Sequence, residues 1–313
     1  MQQLRQRISR VANVAGDDRL PPVLITGETG TGKELVARAC HFDGPRRDRP
    51  FIEINCAAIP NHLLESELFG HERGAFTDAK ERKLGLIEAA DGGTLFLDEV
   101  AEMDLVLQAK LLKVIEDGRL RRLGAVQERQ VQVRIVAATH QALEARVADG
   151  KFRADLYYRL RVLQLAVPPL RERGGDVLLL ARHFCHQFGQ RYHRESIRLS
   201  AAAEAALARH PWPGNVRELR NVMEQAVLLG SGEVIEADEL MPMPAAAAAP
   251  LGQAESLPAP AIREGESALE RVEREMLLEA LLASGQNVSL AARRLGVSRD
   301  TLRYRIEKHG LRL

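Results

Sequence analysis

The chain has 313 residues, of which 45% are hydrophobic, 28% charged and 4% aromatic, with a formal net charge of +1. This is ordinary globular composition, long enough for two or more domains with large cores, and the charge balance names no partner. Cys40, Cys56 and Cys185 stand far apart without a C-x-x-C pair, which excludes a disulfide framework and points to a reducing compartment; no run of 18 apolar residues predicts a membrane span.

Residues 1–15 predict an amphipathic helix with Leu4, Ile8 and Val11 on one face and lack the apolar core of a signal peptide, so a cytoplasmic protein is expected. Short apolar runs at 23–26, 51–55, 94–98, 131–138 and 162–167 alternate with helical patterns, which predicts a mostly parallel sheet with helices on its faces. A helix is expected over 103–116, with Leu107, Leu111, Leu112 and Ile115 at helical spacing. After Pro168 and Pro169 the strand signal fades, and 175–193, 200–209 and 215–229 read as helices of a smaller subdomain. Residues 241–266 are rich in Ala and Pro and read as a linker, although the five-alanine run is open to a short helix. Residues 267–313 form a third, helical unit.

Gly27, Glu28, Thr29, Gly30, Thr31, Gly32 and Lys33 follow the first strand and open a helix. Glycines let the backbone wrap a phosphate, the helix N-terminus adds a favourable dipole, and the lysine reaches the β- and γ-phosphates of ATP. Glu34 stands where the general motif has Ser or Thr, so a hydroxyl ligand for Mg²⁺ is missing and the metal falls mainly to water and Asp98. The run 95–99 is an apolar strand ending in two carboxylates. Asp98 is placed to hold Mg²⁺ through water, and Glu99 to polarise the attacking water. His183, Cys185 and His186 lack a third ligand at zinc-like spacing and are not expected to bind metal.

GETGTGKE, ELFGHERGAFTDA, GGTLFLDE, FRADLYYRL, PPLRERGGDV and WPGNVRELRN occur in this order. Over residues 1–240 the chain resembles the AAA+ domain of bacterial enhancer-binding proteins, the activators of RNA polymerase carrying sigma-54. In that family a glutamate commonly follows the phosphate-loop lysine, as Glu34 does. The resemblance implies an α/β P-loop ATPase subdomain at 1–168 and a helical lid at 169–240. It implies that Asn55 holds the catalytic glutamate, with a polar strand end as the plain alternative. Arg153 and Arg159 match arginine fingers that reach a neighbouring subunit's γ-phosphate; the alternative is two surface arginines. Arg217 matches the arginine by which the lid senses nucleotide. Thr139 fits a sensing position, whereas His140 replaces the usual asparagine and receives no role. The family usually has a segment before the first helix that helps form the adenine pocket, so either a fragment or a pocket completed differently is expected.

Gly74, Ala75, Phe76, Thr77, Asp78 and Ala79 suit a mobile contact loop with an exposed aromatic at its tip. The resemblance implies that this loop grips sigma-54. Asp78 replaces a glycine of the family pattern, adding a negative charge and restricting the backbone.

Residues 289–309 have the rhythm of a helix-turn-helix: Ala291, Ala292 and Leu295 on a first helix, Gly296 at the turn, Ser298 as a cap, and Leu302 and Ile306 facing inward. Arg299, Asp300, Thr301, Arg303 and Tyr304 are the residues expected near the major groove. From 284 to 313 seven Arg or Lys residues oppose Asp300 and Glu307, a net of +5 that suits a phosphate backbone, a solvated basic helix being the alternative. The segment resembles the Fis-type DNA-binding domain, with 267–283 as a dimerising helix.

The expectation is thus an ATP- and Mg²⁺-dependent activator acting in a homo-oligomeric ring, assembled from dimer to hexamer, with sigma-54 RNA polymerase and upstream double-stranded DNA as partners and no membrane. The alternative is a DNA-binding regulator whose AAA+ domain does not productively engage sigma-54, for which Asp78 speaks.

Overall fold

A computed structural model describes residues 1–14, 20–75, 79, 81–240 and 288. The chain divides into two units, Met1–Ala248 and Ala249–Leu313. The expected linker at 241–266 and the helical unit at 267–313, with its DNA-facing residues Arg299, Asp300, Thr301, Arg303 and Tyr304, lie outside the described residues, Val288 apart.

In chain order the first unit runs α1 (Gln2–Ala12), β1 (Val23–Thr26), α2 (Lys33–Phe42), β2 (Phe51–Asn55), α3 (Asn61–Phe69), α4 (Leu86–Ala89) and β3 (Thr94–Asp98). It continues through α5 (Leu105–Asp117), β4 (Arg119–Leu120), β5 (Arg129–Gln130), β6 (Arg134–Thr139), α6 (Leu143–Ala148), α7 (Ala154–Leu160) and β7 (Leu163–Ala166). Then follow α8 (Asp176–Arg191), β8 (Arg198–Leu199), α9 (Ala201–Arg209), α10 (Asn215–Leu229) and β9 (Val234–Ile235).

Five strands form a parallel sheet in the order β2-β3-β6-β1-β7. Side chains alternate across it, as the pleat requires. Leu24, Leu95, Leu97, Ile135 and Ala137 pack on one face with Leu64, Leu68, Leu107, Leu111, Leu156 and Leu160 of the helices covering it. Val23, Ile25, Phe96, Val136 and Ala138 pack on the other face with Leu4, Ile8 and Val11 of α1 and Val36 and Cys40 of α2. Each fully buried side chain of this size contributes about 1.5–3 kcal/mol. A separate core of Phe184, Phe188, Trp212, Leu219 and Met223 holds α8, α9 and α10 together. Among the described residues no helix is long and apolar enough to cross a membrane.

Several boundaries shift by a few residues, and two of these shifts have clear local causes. The helix expected from residue 103 starts at Leu105, because the Asp104 carboxylate caps it by accepting from the Leu107 N–H at 2.8 Å. The strand expected over 131–138 is Arg134–Thr139, because Val131 instead donates its N–H to Gly118 O at 2.8 Å and closes the β4–β5 hairpin.

Candidate functional site

The parallel register places functional side chains at one edge of the sheet. Asn55 pairs with Asp98 across β2 and β3, and Thr26 with Thr139 across β1 and β6, so the carboxyl ends of four strands open onto one crevice. Such crevices are where open α/β sheets bind ligands.

The glycine-rich loop leaves β1 here and enters α2. Gly30 and Gly32 have φ of 78° and 95°, which side chains tolerate poorly. Lys33 is buried; its ammonium donates to Gly27 O at 3.0 Å and Glu28 O at 3.3 Å and lies 3.7 Å from Glu99 Oε1. The loop thus curls around its own lysine, while Thr31 Oγ1 donates to Glu28 O at 2.7 Å. Glu34 instead accepts from Arg38 Nε at 2.9 Å.

Opposite the loop, Asp98 ends β3. Burial, and then the charge of Glu99, push its carboxyl above the usual range, with Lys33 opposing them. Asn55 makes its hydrogen bonds elsewhere than to Glu99: its amide donates to Asp98 Oδ2 at 3.2 Å, and its carbonyl accepts from Ala57 N at 2.9 Å. In this structure the asparagine is thus bonded to Asp98, its neighbour across the ladder. Asn55 lies directly across the ladder from Asp98, whereas Glu99 leaves the strand in a left-handed conformation, φ 53°. Its carboxylate meets the end of β6, on the far side of β3 from Asn55. There Glu99 Oε2 accepts from His140 Nδ1 at 2.7 Å and from the His140 N–H at 3.3 Å. His140, left without a role by sequence, is hydrogen-bonded to one Glu99 oxygen while Lys33 lies near the other.

A cleft of about 830 Å³ joins these groups, lined on one side by Lys33, Asn55, Asp98, Glu99 and His140 and on the other by Arg217 of α10 and Phe184 of α8. The volume suits a nucleotide-sized ligand. The phosphate loop is also bound to the helices. Gly30 O accepts from Val216 N at 3.0 Å and Arg217 N at 3.3 Å. Glu28 accepts from both Arg171 Nη atoms, at 2.5 and 2.9 Å, and from Asn215 Nδ2 at 3.0 Å. Arg173 donates to Thr31 O at 2.7 Å. No local spacing signals these partners, which lie some 140 or more residues from the loop.

Arg153 and Arg159 do not line this cleft. Both are exposed on or beside α7, and Arg153 pairs with Asp155 at 2.7 Å. Of the expected contact loop, Gly74, Ala75 and Ala79 are described, whereas Phe76, Thr77 and Asp78 lie outside the described residues. Gly74 N donates to Ala79 O at 2.8 Å, and His71 bridges to both Lys83 and Leu123 below. Buried Arg122 braces that base, donating to Glu88 at 2.5 and 2.7 Å and to Glu72 at 2.8 Å. Among the described residues no group of three His, Cys, Asp or Glu side chains is disposed to hold a metal ion directly.

Residues 1–166 match the family described as sigma-54 interaction domain, 171–256 the AAA+ ATPase lid domain, and 268–309 the bacterial regulatory protein Fis family. The chain is 45% identical over 289 residues to the regulatory protein AtoC of Escherichia coli, covering 92% of this chain and 62% of that protein. It is 45% identical over 311 residues to the response regulator protein PilR of Pseudomonas aeruginosa, covering 99% and 68%. The crystal structure of NtrX from Brucella abortus in complex with ATP superposes with a TM-score of 0.68 at 37% identity, covering 99% of this chain and 68% of that one. The chain thus spans about two thirds of the length of these relatives. A glycine-rich loop facing a carboxylate pair beneath a helical lid, in a chain matched along its length by these three families, makes the protein a member of the sigma-54-dependent transcriptional activators, with an AAA+ domain and a Fis-type helix-turn-helix.

Proposed function

We propose that the chain hydrolyses ATP between the protomers of a ring, a hexamer built from dimers, and uses the turnover to remodel the sigma-54 RNA polymerase closed complex from upstream DNA in the cytoplasm. Residues 1–168 are the ATPase subdomain, 169–240 its lid, 241–266 a linker and 267–313 the DNA-binding unit. The observation that carries this reading is the cleft holding Lys33, Asp98 and Glu99 together under Arg217.

On this reading Lys33 exchanges its two loop carbonyls for the β- and γ-phosphates. Release of Lys33 leaves Glu99 with one oxygen fixed by His140 and the other facing the cleft, where it orients and polarises the attacking water. Asp98 fits a cation: its proton affinity is raised first by burial and then by the negative charge of Glu99, with Glu34 adding to it, and a divalent ion would offset that charge. Asp98 would hold Mg²⁺, which when bound would supply neutralisation of the phosphate charge. Arg217 senses nucleotide from the lid, and the exposed Arg153 and Arg159 reach the γ-phosphate of a neighbouring protomer. The loop from Gly74 to Ala79 contacts sigma-54, and Arg299, Asp300, Thr301, Arg303 and Tyr304 face the DNA. The NtrX structure bound to ATP supports the nucleotide assignment.

Trapping with ADP and a γ-phosphate mimic tests the proposal, and a stable complex with sigma-54 is expected. Asp78 favours a second reading, a DNA-binding regulator that does not engage sigma-54. Intact ATPase activity with no trapped complex selects it, and recovery by Asp78→Gly assigns the defect to that side chain. Loss of nucleotide binding is expected for Lys33→Ala; unchanged binding overturns the site.

A further inference from the structure

Glu28 sits in the phosphate loop, yet its side chain turns toward the lid. Its carboxylate accepts a two-pronged pair from Arg171, just after the last strand of the sheet, and an amide N–H from Asn215, the first residue of α10. Asn215 is fully buried with φ 55°, an unfavourable backbone for a non-glycine residue. Its side chain compensates by bonding on both ends: Oδ1 accepts from Leu170 N at 2.7 Å, and Nδ2 donates to Glu28 and to Thr29 O at 3.0 Å. The next two N–H groups of α10, from Val216 and Arg217, converge on Gly30 O. A Cβ on Gly30 would lie 2.3 Å from Gly214 O, so loop and helix turn are in direct backbone contact. Arg173 adds a bond to Thr31 O. Four successive loop residues, 28 to 31, are therefore held by 171, 173 and the start of α10.

An exposed ion pair alone contributes little. Here the pair is bidentate and shares its carboxylate with a buried amide, and the Arg171 and Asn215 bonds hold Glu28 down to about pKa 2. The bonded helix start also carries Arg217, which lines the cleft two residues after Asn215. Nucleotide phosphates bind to the N–H groups of this same loop. Any rearrangement there is carried directly to Asn215 and, through the Asn215 N–H, to Trp212 O at 2.9 Å.

We infer that Glu28, Arg171 and Asn215 form a latch that makes the phosphate loop and the lid helix α10 move as one body, so that Glu28 is a positioning residue acting through the lid and not a contact to nucleotide. The inference rests on the nucleotide reading of the cleft. Trp212, the chain's sole tryptophan, is buried with φ 53° against the His210 ring at 4.5 Å and reports the movement.

The test is an ADP titration of the full chain, followed by calorimetry and by Trp212 fluorescence. In the wild type ADP binds and changes the fluorescence. Glu28→Gln and Arg171→Ala are expected to weaken ADP about tenfold, raise KM more than they lower kcat, and abolish the fluorescence change. Arg171→Lys, which keeps the charge but not the two-pronged geometry, restores part of both signals and covers the case in which Arg171→Ala fails to fold. Variants with wild-type ADP affinity and a full fluorescence response overturn the latch, as does a wild type that binds ADP with Trp212 silent. A wild type that fails to bind ADP at all overturns the nucleotide reading as well, and calorimetry tells the two failures apart.

Discussion

Glu99 accepts a 2.7 Å hydrogen bond from His140 across the ends of β3 and β6, while the asparagine expected to hold it, Asn55, is bonded to Asp98. One oxygen of the glutamate is thereby fixed and the other left toward the cleft. Loss of the imidazole in His140→Ala is expected to lower kcat about 100-fold with little change in nucleotide affinity, because a base misplaced by an ångström loses most of its effect. His140→Asn, which keeps an N–H donor, should recover most of the rate. Steady-state ATPase assays beside ADP calorimetry check both.

Asp98 carries a carboxyl pushed upward by burial and by Glu99, a charge excess suited to a bound cation. Chelation with EDTA should stop hydrolysis, and excess Mg²⁺ should restore it. Asp98→Asn should not be rescued by added Mg²⁺, which phosphate-release assays across a magnesium titration will show.

Arg122 and Glu88 form a pair in which both side chains are almost wholly buried at the base of the 70–85 loop. Arg122→Met leaves that carboxylate buried without its main partner and should destabilise the chain by about 3 kcal/mol. The double variant Arg122→Met/Glu88→Met should regain most of this loss. Urea unfolding of the four forms is the measurement.

Gly30→Ala places a methyl group 2.3 Å from Gly214 O and asks a non-glycine residue for φ 78°. Nucleotide affinity should fall by more than tenfold, a loss above about 1.4 kcal/mol. Mant-ADP binding with circular dichroism as a folding control tests this.

Glu28 has its carboxyl lowered from 4.5 to about 2, first by the hydrogen bond from Arg171 and then by that from Asn215. A group depressed in the folded state stabilises fully above its unfolded value and loses that contribution as pH falls toward the folded one. The stability difference between wild type and Glu28→Gln should therefore be flat from pH 5 to 8 and shrink between about 4.5 and 2. Urea midpoints across that range give the answer.

What the sequence makes legible is what short-range chemistry encodes. The loop from Gly27 to Lys33, the apolar strand ending at Asp98 and the apolar face of α1 all follow from neighbours a few residues apart. The partner of Asn55 depends on the ladder register between β2 and β3, which no residue spacing declares. His140 acquires its place only because Glu99 turns left-handed at the strand end. Asn215 meets Glu28 across 187 residues, a distance at which pattern carries no signal. The helix from 215 to 229, in contrast, was readable in full, because its apolar positions repeat over four turns.

The placement of β6 between β1 and β3 has a dimensional consequence. Neighbouring strands stand about 4.8 Å apart, so the mouth of the glycine loop and the tip bearing Asp98 are offset by roughly 9.6 Å of scaffold. Lys33 and Glu99 lean inward and narrow that offset to 3.7 Å between their charged ends. The backbone therefore acts as a spacer whose width is set before any side chain is chosen, and two long side chains span it until a guest parts them.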